Sequence, residues 1–202
     1  MWTFFKPSSE TIRALLTRSA GDGFTYAPVG VTRDDPPTTP AGFVLDVNAR
    51  QLGRGRAAFD AARDAIRRWE MFRLGWVEPA NTGAPIVAGT AVAVLARVGP
   101  LWSLNACRIV YAIDEPRRFG FAYGTLREHE ESGEERFLVE WRDDDSVWYH
   151  IRALSRPNRW YVRLGHPLAR RMQRRFAVAS MDAMERCILT GECLARREDT
   201  KR

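Results

Sequence analysis

The chain has 202 residues, 45% of them hydrophobic and 28% charged, with a formal net charge of +6 at pH 7. That composition excludes a disordered or collagen-like chain, and the length allows a substantial core without staples. Cys107, Cys187 and Cys193 are an odd number with no CxxC spacing, which argues against a disulfide framework and a zinc site. No run approaches the ~18 apolar residues of a membrane-spanning helix.

The positive charge is almost all arginine, with lysine only at Lys6 and Lys201 and acids interspersed. A solvated basic surface accounts for it, so nucleic acid is not favoured as a partner, while peripheral contact with an anionic membrane stays open. The opening MWTFFKPSSE has no basic region followed by a long apolar run. With the cysteine usage, the expectation is a cytoplasmic protein.

Taken in order, Ser8 or Ser9 caps a first helix over residues 9–18, with Glu10 in its first turn and Ile12, Leu15 and Leu16 as its apolar stripe. Phe24 to Tyr26 reads as a short strand. Pro28, Pro36, Pro37 and Pro40 make residues 27–41 a loop. From Gly42 to Leu52, Phe43, Leu45, Val47 and Ala49 alternate with Asp46, Asn48 and Arg50, the pattern of a half-buried strand. A second helix, about Arg56 to Phe72, carries Phe59, Ala62, Ile66 and Trp69 at helical spacing. Gly53 and Gly55 precede it. They could cradle an anion, but the lysine and hydroxyl of a P-loop are missing, and a flexible joint is the plainer reading.

Strand patterns then follow at Gly75–Glu78, Ile86–Val98, Trp102–Ile113, Phe119–Leu126, Glu135–Trp141 and Val147–Ser155. Turns separate them, notably Arg127 to Gly133 and the three acids Asp143 to Asp145. One face of this meander collects Phe119, Phe121, Tyr123, Phe137, Val139, Trp141, Tyr149 and Ile151. A helical tail over residues 160–189 carries Leu168, Met172, Phe176, Ala179, Ala183 and Cys187 on one stripe, and residues 195–202 read as a disordered charged tail. An aromatic sheet face must be covered, and only the final helix is long enough to do it. The expected fold is α+β and helix-grip, a curved antiparallel sheet wrapped around a long C-terminal helix. It forms one domain over residues 1–194, with a strand-helix lead-in at 42–72 and the meander at 86–155.

Four segments carry a more specific resemblance: LGRGRAAFDAARDAIRRWEMF, NACRIVYAIDEPRRFGFAYGTL, SGEERF and IRALSRPNRW. They resemble the family catalogued as domain of unknown function 1990, found in bacteria and plants, within the START and Bet v 1-like superfamily. The resemblance spans roughly residues 24 to 185. It implies a central cavity for an apolar small molecule and supplies no reaction.

The residues themselves offer two candidate chemistries. The aromatic face either lines a pocket or fills the space under the helix; as a pocket it assigns ligand contacts to Phe119, Phe121, Tyr123, Phe137, Trp141 and Tyr149, with Met172 and Phe176 from the helix and Arg108 as a clamp for a ligand anion. The ligand would be a lipid, an isoprenoid or a polyketide-like molecule, apolar or amphipathic. Alternatively, Tyr123, His129, Glu134 and Arg136 near the Arg127–Gly133 turn form an acid–base set for a cyclase, dehydratase or hydrolase. Glu140 and Arg152 are expected to pair across strands. The basic stripe Arg163, Arg170, Arg171, Arg174 and Arg175 is expected to answer the acids of 127–135 or, as a third reading, nucleic acid or an anionic membrane. His129, His150 and His166 lack ligand spacing, so no metal is assigned, and no cofactor motif appears. Cys107 reads as a packed strand residue.

Overall fold

The described residues form an eight-stranded antiparallel sheet that is mostly a meander. The computed structural model describes residues 1–81, 83–158 and 166–190. Six consecutive strands each pair with the next: β3 (Val77–Pro79), β4 (Ala91–Val98), β5 (Leu101–Glu115), β6 (Arg118–Thr125), β7 (Glu131–Trp141) and β8 (Ser146–Pro157). β2 (Val44–Arg54) closes the far edge against β8, and β1 (Trp2–Thr3) pairs with Trp102 and Ser103 of β5. The helices are α1 (Ser9–Arg18), α2 (Gly55–Arg67) and α3 (His166–Thr190).

Local chemistry explains the boundaries. α1 spans the predicted residues because the Ser8 hydroxyl accepts from Thr11 N at 3.2 Å, satisfying one orphan N–H of the first turn. β4 begins at Ala91 and not Ile86, since Val87 N bonds Pro85 O and Thr90 N bonds Val87 O in turns. β7 begins at Glu131 and not Glu135, because β8 continues as its partner through Ser132↔Arg156 and Glu131↔Pro157. Phe24 to Tyr26 is no strand; Thr25 N donates to Thr125 O at 3.1 Å and the segment otherwise lies over the sheet. The first residues of the predicted 160–189 helix, and the tail 195–202, fall outside the described residues.

α2 is shorter than its hydrophobic spacing predicts. It ends at Arg67; Trp69 takes left-handed backbone (φ 59°, ψ 29°) and residues 70–72 form one 3-10 turn. This break swings Trp69 and Phe72 under the sheet. Gly55, at φ 78°, makes the sharp turn from β2 into α2, and its N–H is taken by Asp145 O at 2.9 Å, so the joint holds no anion cradle.

The two sheet faces are covered differently. On the convex side α1 packs Ile12 and Leu15 on Ala93, Leu95, Leu104 and Ala106. The loop that includes residues 24–35 covers the neighbouring convex surface. On the concave side lies the main core, with α2, the 3-10 turn and α3 packed into it. β2 inverts its predicted orientation. Its register with β8 places Asp46, Asn48 and Arg50 on the concave side, and Val47 is 59% exposed. The polar residues face α3 because that helix presents charge there: Arg170 forks onto Asp46 at 2.5 and 2.6 Å, and Arg50 pairs with Asp182 and, at 3.1 Å, Glu185. The buried residues of α3 are Ala177, Ser180, Met181, Ala183, Met184 and Cys187; Ala183 and Cys187 keep the expected line, whereas Leu168 is 56% exposed. Cys107 is a buried free thiol.

Candidate functional site

Cross-strand register organises the concave face into rows. One row runs Arg50, Tyr149, Val139, Phe119, and the next runs Asn48, Ile151, Phe137, Phe121. The third runs Asp46, Ala153, Glu135, Tyr123. Chemistry changes between the second row and the third, from hydrocarbon to carboxyl and phenol.

Over the first row and the Phe137–Phe121 side of the second the concave face is filled. Trp69 packs on Phe121 (ring centroids 4.8 Å apart) and Phe72 on Phe137 (5.2 Å). The Tyr149 hydroxyl meets Ser180 Oγ of α3 at 2.9 Å. Phe119, Phe121, Phe137 and Tyr149 are all buried core residues, which corrects their assignment as ligand contacts. Trp141 stacks on Phe59 at 6.1 Å and donates its indole N–H to Asp145 at 2.8 Å, also away from any cavity. Arg108 is on the other side of the sheet, where it donates to the carbonyls of Ser19, Ala20 and Asp22 at 2.8–3.0 Å, so it clamps the end of the α1 segment and no ligand.

From the third row onward the sheet and α3 stand apart. The gap is a cavity of about 540 Å³, in the range of ~300–1,000 Å³ usual for small-molecule sites. Its apolar wall comes from Phe72, Trp76, Val94 and Ile151 with Met172 and Phe176 of α3. Tyr123, Met172 and Phe176 of the sequence-derived ligand set line it; Phe72 and Trp76 escaped that set because their inward swing depends on the break at Trp69.

The polar end holds Asn105, Tyr123, His129, Glu131 and Glu135. The Tyr123 hydroxyl donates to Glu135 Oε2 at 2.6 Å. Burial pushes the Glu135 carboxyl up to about 7, against the Tyr123 hydrogen bond, which acts to lower it; Asp46 and Glu131 push it the same way as burial. The Tyr123 phenol is pushed well above its ordinary value by burial and by Glu135. Burial takes His129 down to about 4, so its ring is neutral at pH 7. Its Nδ1 lies 2.9 Å from Glu131 N–H and 3.1 Å from Glu131 O; the shorter contact assigns Nδ1 as acceptor and the proton to Nε2. Burial also raises Glu131, with Arg170 opposing it. Glu135 was legible by parity, two residues before Phe137 on the same strand.

The predicted acid–base set does not assemble. Tyr123 and His129 reach the cavity; Glu134 borders it only along β7, its carboxylate being held on the convex face, where the Arg136 side chain also lies. Glu134 accepts from the Tyr26 hydroxyl (2.5 Å), Gly30 N (2.7 Å), Thr32 N (2.9 Å) and the Thr32 hydroxyl. It pins the 24–35 loop. Arg136 is buried beside Arg152, and desolvation followed by that neighbouring charge lowers its pKa. Arg152 serves the same loop, bonding the Asp34 carbonyl at 2.5 Å and Asp35 at 3.1 Å, so the expected Glu140–Arg152 pair is absent; Glu140 instead meets Arg142 and His150 at 3.2 and 3.5 Å. The basic stripe is answered within the fold only in part, with Glu131, one of the expected acids, in the field of Arg170. Arg170 takes Asp46, Arg175 covers the Trp76 ring at 4.4 Å, Arg171 and Arg174 are exposed, and Arg163 falls outside the described residues. Among the described residues no group of three or more His, Cys, Asp or Glu is placed to hold a metal ion.

A family model described as Domain of unknown function (DUF1990) matches residues 25–183. The chain belongs to this family. It is 33% identical over 209 residues to a UPF0548 protein of Dictyostelium discoideum, covering 93% of this chain and 96% of that one. It is 32% identical over 187 residues to a UPF0548 protein of Deinococcus radiodurans, covering 88% and 93%. Human STARD10 matches in three dimensions with a TM-score of 0.53 and 11% identity, over 98% of this chain and 86% of that one. The fold is START/Bet v 1-like. The DUF1990 segments quoted above acquire physical roles here: a Cβ at Gly124 of FGFAYGTL would stand 2.4 Å from the Tyr26 hydroxyl, and one at Gly133 of SGEERF 1.8 Å from Leu154 O. Both glycines allow close approach, of the 24–35 loop in one case and of β8 in the other.

Proposed function

We propose that this protein binds an apolar or amphipathic small molecule in the cavity between the sheet and the first half of α3. The observation that carries the reading is the cavity of about 540 Å³ walled by Phe72, Trp76, Met172 and Phe176, in a molecule whose other concave rows are solidly packed. A protein able to fill one half of its grip with aromatic rings leaves the other half open at a cost in unburied apolar surface, which a ligand recovers. No helix among the described residues is long and apolar enough to cross a membrane.

Thermal unfolding with a panel of lipids, isoprenoids and aromatic polyketides tests this. A ligand at a hundred times its Kd adds ~2.7 kcal/mol, which raises the Tm of a chain of this size by roughly 5–10 °C. Met172→Trp, which fills the gap from α3, should fold and lose the ligand-dependent shift. A panel with no shift, together with no small molecule retained in native mass spectra of the protein from its own host, would overturn the reading.

A further inference from the structure

The cavity's acids are unevenly satisfied. Asp46 is neutralised by the fork from Arg170. Glu135, in the same cross-strand row, meets no cation among the described residues. Its Oε2 accepts from Tyr123, and its Oε1 has no partner among the described residues. Glu135 lies deep in the fold, and the surface it keeps faces the cavity. Glu131 has the same parity on β7, so it points to the same side; its neighbours are the Ser155 hydroxyl and the charge of Arg170. Every element packed around Glu135 supplies a group, and among the described residues none sets a cation against its carboxylate. β6 gives Tyr123, β5 gives the Cys107 thiol, β2 gives Asp46, and the turn before β7 gives a neutral His129. α3 gives Arg170, already committed to Asp46, and Arg174, which is exposed.

Resting on the ligand-binding reading, we propose that the occupant is an amphipathic amine, its ammonium at Glu135 and Glu131 and its apolar body along Phe72, Trp76, Met172 and Phe176. Three head groups can be compared. A carboxylate would meet two acids, with only the exposed Arg174 to answer it among the described cavity residues. A hydroxyl satisfies Oε1 but leaves the buried carboxylate uncompensated. An ammonium donates to Oε1, neutralises the charge, and lies beside aromatic faces that attract cations. The ammonium favours the ionised carboxylate. In the empty protein that carboxyl holds its proton up to about pH 7, so amine binding below pH 7 expels a proton.

Calorimetric titration with decylamine, decanol and decanoate, each below its micellar concentration, at pH 6 and pH 8, separates the possibilities. Decylamine should bind at least about tenfold tighter than either isostere at pH 8. Its affinity should fall about tenfold from pH 8 to pH 6, as the ionised fraction of a group titrating near 7 falls, while decanol shows no such loss. Glu135→Gln should erase both the preference and the pH dependence for decylamine. Should that variant fail to fold, the wild-type comparison of amine with alcohol decides alone. Equal binding of decylamine and decanol at pH 8, or tighter binding of decanoate, overturns the amine assignment and leaves the cavity reading standing. Binding of none of the three, with the panel above also silent, overturns both.

Discussion

The two halves of the concave face share strands, alternation and covering helix, yet one is core and the other cavity. In the filled half, Phe121 and Phe137 meet Trp69 and Phe72, delivered by the break after α2. In the open half, Tyr123 and Glu135 look across a gap at Met172 and Phe176. An aromatic strand face therefore does not by itself mean a pocket. What decides is whether another element inserts a side chain between sheet and helix, and here Phe72 is the last ring inserted, its centroid 6.0 Å from that of Tyr123 and 5.4 Å from that of Phe176.

The sharpest way to break this contrast is truncation in the filled half. Phe121→Ala should cost ~3–5 kcal/mol, because its site is closed on all sides and cannot collapse; urea denaturation measures it. Next comes Glu135→Gln, whose effect depends on pH. The Glu135 carboxyl is raised from an ordinary 4.5 to about 7, so between those values the folded state holds a proton that the unfolded chain releases. Stability contributed by this group thus falls as pH rises from 4.5 to 7 and is level above. Glutamine cannot ionise, so the variant should gain on wild type across that window, by on the order of 3 kcal/mol at about 1.4 kcal/mol per pKa unit. A gap between variant and wild type that stays constant from pH 4 to pH 8 would mean the carboxyl is solvated and the open half wet. His129, lowered to about 4, works in the opposite sense, adding stability as pH rises through its window. The two slopes mask each other in the wild-type protein, and Glu135→Gln should unmask the rising one.

Smaller effects belong to the open half and its rim. Met172→Ala should cost under ~1 kcal/mol, since space beside that side chain is already empty. A loss matching that of Phe121→Ala would erase the distinction between the halves. Asp46→Asn should cost about 0.5 kcal/mol, typical of a partly exposed ion pair, while amide exchange in the first turns of α3 accelerates.

Much of this was legible in the sequence. Alternation located the strands from β5 to β8, and the Ser8 cap and apolar spacing gave α1. Parity also placed Tyr123 on the concave face. Three things were not legible, each for a physical reason. The left-handed turn at Trp69 lies inside a pattern that reads as continuous helix. The facing of β2 is set by charges on α3 more than a hundred residues away, which reverse the usual rule that the apolar side turns inward. Glu134 and Arg136 resemble catalytic groups, and only the return of the 24–35 loop over the convex face shows that they are fastenings. Adjacent residues on one strand, Glu134 and Glu135, thus serve opposite faces.

The inverted face of β2 has one more consequence. The half of α3 beyond Ala177 is embedded in apolar packing with Met181, Met184 and Cys187, which added salt does not loosen. The half over the cavity is tied to β2 through Arg170 and Asp46, an attachment that dissolved ions weaken. Ionic strength therefore acts most on the cavity end of the helix; at the other end it screens the Arg50 pairs with Asp182 and Glu185 but leaves the apolar packing in place. The rate at which an occupant enters and leaves should rise with salt even where the melting temperature of the empty protein hardly moves.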